Sequence, residues 1–154
     1  MTRALALLLL LVAGGCDLFG AGCPPVSFGL ECALIGEWDL DTVGGEPAPG
    51  ALEVESGFSG FLSVPSGLEG CGPFQGPFGG SAPLDDVDEG PVTVRLWQTS
   101  ALCEDDVVVR HSVDLNGRAA LEGDRLTLTL RQDRLLGDGA FPLFREPTAL
   151  VFSR

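Results

Sequence analysis

Few side chains in this 154-residue chain have the types and spacing that chemistry needs. There is a single histidine, His111, so a Ser–His–Asp relay has one candidate base. Alternation along Val107, Val109, His111, Val113 and Leu115 sets that histidine on an apolar face. A lone histidine there is more often a hydrogen-bonded core or rim residue than a base. Gly57-Phe58-Ser59-Gly60-Phe61 places Phe61 where a nucleophile elbow needs its second glycine, and no helix follows. Asp85-Asp86-Val87-Asp88-Glu89-Gly90 gathers carboxylates without the spacing of a calcium-binding loop, and reads as a solvated acidic turn. The chain contains no lysine, so a P-loop cannot be completed. With one histidine and no Cys-x-x-Cys, the cysteines make a poor metal site. The expectation is a protein that is not an enzyme and carries no cofactor and no metal; a hydrolase using His111 is the remote alternative.

The five cysteines point elsewhere. Residues 1–15 carry one positive charge at Arg3, a ten-residue apolar run from Ala4 to Ala13, and Gly14-Gly15 before Cys16. That is the layout of a secretory signal peptide, and the run is about half of the roughly 20 apolar residues a membrane-spanning helix needs. Val12-Ala13-Gly14-Gly15-Cys16 resembles the bacterial lipobox, with Ala13 where Leu is favoured. The resemblance implies that Cys16 becomes the first mature residue, carrying acyl chains such as palmitate; two or three chains anchor stably where one does not. Asp17 resembles an inner-membrane retention signal of enteric bacteria, a rule that does not hold in all bacteria, so either membrane fits. Setting Cys16 aside leaves Cys23, Cys32, Cys71 and Cys103, an even number suited to an oxidising compartment. Three pairings are open; Cys23–Cys32, closing a short loop around Pro24-Pro25, with Cys71–Cys103 is the favoured one.

Charge narrows the partners. Once the leader is removed, eight arginines face 22 acidic residues, a balance of −14. Nucleic acid needs basic residues against its phosphates, and anionic lipid surfaces attract the same residues. Nucleic-acid binding is therefore excluded, and membrane contact is expected through the N-terminal lipid alone.

These residues have to be held by strands. Residues 16–33, rich in Gly, Pro and Cys, read as a tether, and residues 34–154 as one domain. Beyond Ala33 apolar residues alternate with period two: Trp38 and Leu40; Leu52 and Val54; Leu62 and Val64; Val92, Val94 and Leu96; Val107 to Leu115; Leu126, Leu128 and Leu130; Leu150 and Phe152. Asn116-Gly117, Gly123-Asp124 and Gly137-Asp138-Gly139 read as turns. Six to eight half-buried strands in about 120 residues suit a small antiparallel up-and-down barrel, which leaves no free edge. Residues 65–90, with Gly72-Pro73-Phe74 and Gly76-Pro77-Phe78, read as a long loop whose two phenylalanines cap the barrel or meet a partner.

Gly36-Glu37-Trp38 resembles the Gly-x-Trp signature of lipocalins and lipocalin-like bacterial domains. Residues 34–47 are similar to their opening strand and turn, and residues 121–128 with 150–154 to their closing strands. The resemblance implies an all-β barrel with Trp38 across its closed end and a late arginine, Arg154 or Arg131, packed over it. Two functions then compete. The favoured one is a structural or protein-interaction module of the envelope, using the acidic face or the Phe74/Phe78 loop. The other is a binder of a small apolar molecule, with Trp38, Leu40, Val109, His111, Val113 and Leu128 as lining. Side chains that fill the interior leave the second no room.

Overall fold

The computed structural model describes residues 29–83, 86, 88–106, 108–136 and 142–154. The expected signal peptide, Cys16, Cys23 and most of the expected tether lie outside the described residues, as do Asp85, Val87 and the Gly137-Asp138-Gly139 turn. The described chain begins with a one-turn helix, α1 (Leu30–Ala33). Nine strands follow: β1 (Gly36–Val43), β2 (Glu46–Pro47), β3 (Ala51–Glu55), β4 (Ser59–Val64), β5 (Phe74–Ser81), β6 (Glu89–Leu102), β7 (Val108–Glu122), β8 (Arg125–Leu136) and β9 (Thr148–Ser153). All pairings are antiparallel, in the order β2-β1-β3-β4-β5-β6-β7-β8-β9, and β9 returns to β1 through Leu40↔Phe152 and Val43↔Leu150. The result is a closed eight-stranded up-and-down barrel, with β2 as a short arm folded back on β1.

The alternation read from the sequence sets the two faces. Trp38, Leu40, Leu52, Val54, Leu62, Val92, Val94, Leu96, Val113, Leu126, Leu128, Leu130, Leu150 and Phe152 are all buried. Glu37, Asp39, Glu53 and Glu55 between them are exposed. Local chemistry makes the turns. Gly44 and Gly45 both adopt positive φ (60° and 92°), as a two-residue hairpin twisting with its strands requires. Gly123-Asp124 joins β7 to β8, as expected, with Glu122 opposite Arg125.

Two expectations are corrected. Residues 65–90 are not one long loop: they contain β5, a full barrel strand whose Phe74 and Phe78 point inward and are 0% and 2% exposed. Glycine and proline hid this strand. Pro77 faces outward at a register shift between β5 and β6, where a missing N–H is tolerated. Phe74 and Phe78 therefore offer no contact surface. Asn116-Gly117 is not a turn but lies within β7. Gly117 is there because β8 passes so close that a Cβ would stand 1.9 Å from the Thr129 carbonyl oxygen.

Buried residues from outside the strands pack at the barrel's ends. At one end stand Leu30 and Leu34, fully buried at and just after α1, together with Phe58 from the β3–β4 turn. Phe58 holds φ at 47°, which costs on the order of 1–3 kcal/mol. Its burial, with an edge-on contact to Phe78 (ring centroids 5.7 Å apart), offsets that. The residues at the end of the expected tether are thus part of the barrel's closure. At the opposite end Phe144, fully buried, sits between β8 and β9.

Candidate functional site

Three places in the barrel were candidates for function: the plugged end around Trp38, the interior, and the outer face.

At the plugged end, Trp38 is 1% exposed and its Nε1 donates to the Leu34 carbonyl oxygen at 2.8 Å. The Arg154 guanidinium lies 3.8 Å from the Trp38 ring centroid, and Nη2 donates to the Ala33 carbonyl oxygen at 2.6 Å. Of the two arginines open from the sequence, Arg154 takes this place. Its contacts tie α1, β1 and the end of β9 together where the barrel closes. This arrangement is structural: both polar partners of Trp38 and Arg154 are main-chain carbonyls.

The interior holds the other sequence-chosen residues. Leu40, Val113 and Leu128 are buried in the core and Val109 packs against it half-buried. His111 pairs with Thr99 in the β6–β7 ladder; its side chain lies outside what the structure describes. The void enclosed by Leu34, Leu52, Phe58, Leu62, Phe78, Val94 and the β8 leucines measures about 10 Å³, the size of one water at most. Nearer the other end, Gln132 keeps a buried Oε1 without a partner among the described residues.

The cysteines act as staples. Cys71 and Cys103 form a disulfide (S–S 2.01 Å) across an isolated antiparallel bridge, the expected pairing. The bonds Gly72 N–H to Leu102 O and Glu104 N–H to Gly70 O flank it, so the pair occupies a non-hydrogen-bonded position, where facing side chains are closest. Cys32 is also disulfide-bonded; Cys16 and Cys23, the two remaining cysteines, lie outside the described residues. The acidic turn is structural where described. The Asp86 carbonyl accepts from the Leu30 N–H, and its Oδ1 accepts from the Asp88 and Glu89 N–H groups. Ser59 Oγ donates to the Ser56 carbonyl within the β3–β4 turn.

The outer face carries a feature that period-two alternation does not mark. A depression of about 410 Å³ lies across β5, β6 and β7. Trp97, 45% exposed, forms one side. Its six-membered ring rests over Gly79 so closely that a Cβ there would meet Cη2 at 2.5 Å. Two residues back on the same strand, Arg95 forms a forked pair with Asp114 on β7: Nε to Oδ1 at 2.5 Å and Nη2 to Oδ2 at 3.0 Å. Hydrogen bonding from Arg95 holds the Asp114 carboxyl below the ordinary aspartate value, and the same bond raises the arginine. Beyond the pair, Ser81 and Thr93 share a hydroxyl hydrogen bond at 3.0 Å, and Asn116 stands opposite Thr93. Phe61, 43% exposed, and Pro77 adjoin this region as direct partners between β4 and β5. The signal was present in the sequence: Trp97 follows Arg95 by two residues and so falls on the polar, outward side of its strand. The bulge between Leu96 and Thr99 interrupts the alternation there and obscured it.

No family model, curated protein or solved structure matches this chain.

Proposed function

We propose that this chain is a lipid-anchored protein of the bacterial cell envelope whose lipocalin-like barrel works by its outer surface, as a non-enzymatic structural or protein-interaction module. The observation that carries the reading is the packing of the core: among the described residues, the side chains around Leu34, Phe58, Phe78 and the β8 leucines leave a void of about 10 Å³, far below the roughly 300 Å³ at which small-molecule pockets begin. A barrel packed in this way presents its outside. The Trp38–Arg154 stack adds support to the lipocalin-like resemblance. The Cys71–Cys103 disulfide suits an exported protein. If Cys16 is acylated, Cys23 is the cysteine left for Cys32, which completes the staple expected near the N-terminus.

Expression in a bacterial host, membrane fractionation and intact mass measurement test this reading. The expected product begins at Cys16, partitions with membranes and carries a covalent acyl increment; Cys16→Ser loses both increment and partitioning. A wild-type chain without an acyl increment would overturn the anchor.

A further inference from the structure

We propose that the depression beside Trp97 is a binding site for a neutral saccharide, with the indole as stacking platform and the Arg95–Asp114 fork as hydroxyl reader. A pyranose ring has an apolar face of C–H bonds and a rim of hydroxyls that both donate and accept. The electron-rich face of an indole suits the C–H face. The rim needs donors and acceptors held side by side, which the forked pair supplies. Two of the five guanidinium N–H donors of Arg95 are used on Asp114, leaving three, and the carboxylate keeps free lone pairs. The Ser81 and Thr93 hydroxyls extend the same polar floor.

The platform is built rather than incidental. Gly79 opens the space into which the Trp97 ring lies, and any larger residue would collide with it. Among the described residues the Trp97 ring N–H has no hydrogen-bond partner, so it too is available.

Other occupants fit less well. The acidic balance of the chain, −13 overall, and Asp133 at the edge of the depression oppose a phosphate-rich or acidic polymer. A polypeptide adding as a strand needs a free sheet edge, and the depression lies on the face of β5, β6 and β7, which are paired with one another. An acyl chain would meet one aromatic among hydroxyl, carboxamide and charged groups.

The site belongs to the barrel and does not depend on the lipid anchor. A protein that is anchored but binds no saccharide would overturn this inference and leave the proposed function standing. The test is calorimetric titration of the full chain in mild detergent with cellotetraose and, separately, chitotetraose. We expect binding of at least one, with a dissociation constant on the order of 1 mM or tighter. Trp97→Ala and Gly79→Val should each weaken it by about tenfold or more, equivalent to about 1.4 kcal/mol. Trp97→Phe should retain part of the affinity, and Asp114→Ala should weaken it. The β-sheet circular-dichroism spectrum and, where Trp97 is replaced, fluorescence of the buried Trp38 report that each variant is folded. If Trp97→Ala does not fold, Trp97→Phe and Gly79→Val decide. No heat with either sugar at ~10 mM, or saccharide binding that folded Trp97 and Gly79 variants share with wild type, would overturn the proposal. So would a purified polypeptide that binds through Trp97 where neither sugar does.

Discussion

Arg154 and Trp38 show how one side-chain pair can close a barrel. The arginine stacks on the indole and caps an α1 carbonyl in the same geometry. A cation over an aromatic ring contributes about 0.5–2 kcal/mol, and a hydrogen bond from a charged donor contributes on a similar scale. Arg154→Ala is expected to lower unfolding free energy by about 1–3 kcal/mol, read from urea unfolding followed by Trp38 fluorescence; Arg131→Ala, on the exposed face, should change it little. The Arg95–Asp114 pair has a pH signature instead. The Asp114 carboxyl is held below its usual value of 3.8 by the arginine, so the pair's contribution is present above that value and is lost as pH falls through the lower folded value. A carboxyl-carbon NMR titration should place the Asp114 midpoint below 3.8, and Arg95→Ala should move it upward. Trp38 was legible from Gly-x-Trp because its neighbours alternate without interruption. Trp97 was not, because the bulge at Leu96–Thr99 breaks the alternation just where its outward position would have been noticed.

At the level of elements, glycine has two opposite meanings in this chain. Gly123 turns the chain as its Gly-Asp dipeptide predicts, and Gly44-Gly45 turns it within the stretch that resembles a lipocalin opening strand and turn. Gly117 and Gly79 lie inside or between strands, where the reason for glycine is a neighbour that only the folded barrel supplies: the Thr129 carbonyl in one case, the Trp97 ring in the other. A sequence pattern cannot distinguish the two, so β5 was hidden in a supposed loop and a turn was placed inside β7. Gly117→Ala should therefore destabilise strongly, by about 2 kcal/mol or more, since the β8 backbone must move; a fall in melting temperature of several degrees would register it. The disulfide acts at the same scale. Cys71 and Cys103 are 32 residues apart, and in the chain-entropy model closing a loop of that length contributes about 3–4 kcal/mol. The double variant Cys71→Ser/Cys103→Ser should lose stability of that order in urea unfolding, with the β-sheet circular-dichroism spectrum kept below the transition.

For the whole molecule, closure is the property on which the proposed function rests. The β1–β9 pairing closes the sheet into a barrel, while residues 131–136 of β8 run on beyond β9 and are laddered to β7 alone among the described residues. Leucines and phenylalanines form one continuous buried cluster within, and Leu30, Leu34 and Phe58 cover one end. All-β class, antiparallel order and most core residues were readable because period-two alternation is a strong signal. The filling was not, because an inward-facing residue looks the same in sequence whether it lines a cavity or occupies it. Among the described residues, the outside carries exposed carboxylates together with the apolar side chains of Trp97, Phe61, Leu102 and Val108 and the Arg95–Asp114 fork. The most direct test of a barrel that works by its outer face is native mass spectrometry of the full chain purified in mild detergent from the bacterial host that expresses it. The account predicts a folded ion whose mass equals that of the same chain after denaturation, covalent modification included. A discrete extra mass on the folded ion, an apolar small molecule shed on denaturation, would contradict it and return the interior to the role of a binding site.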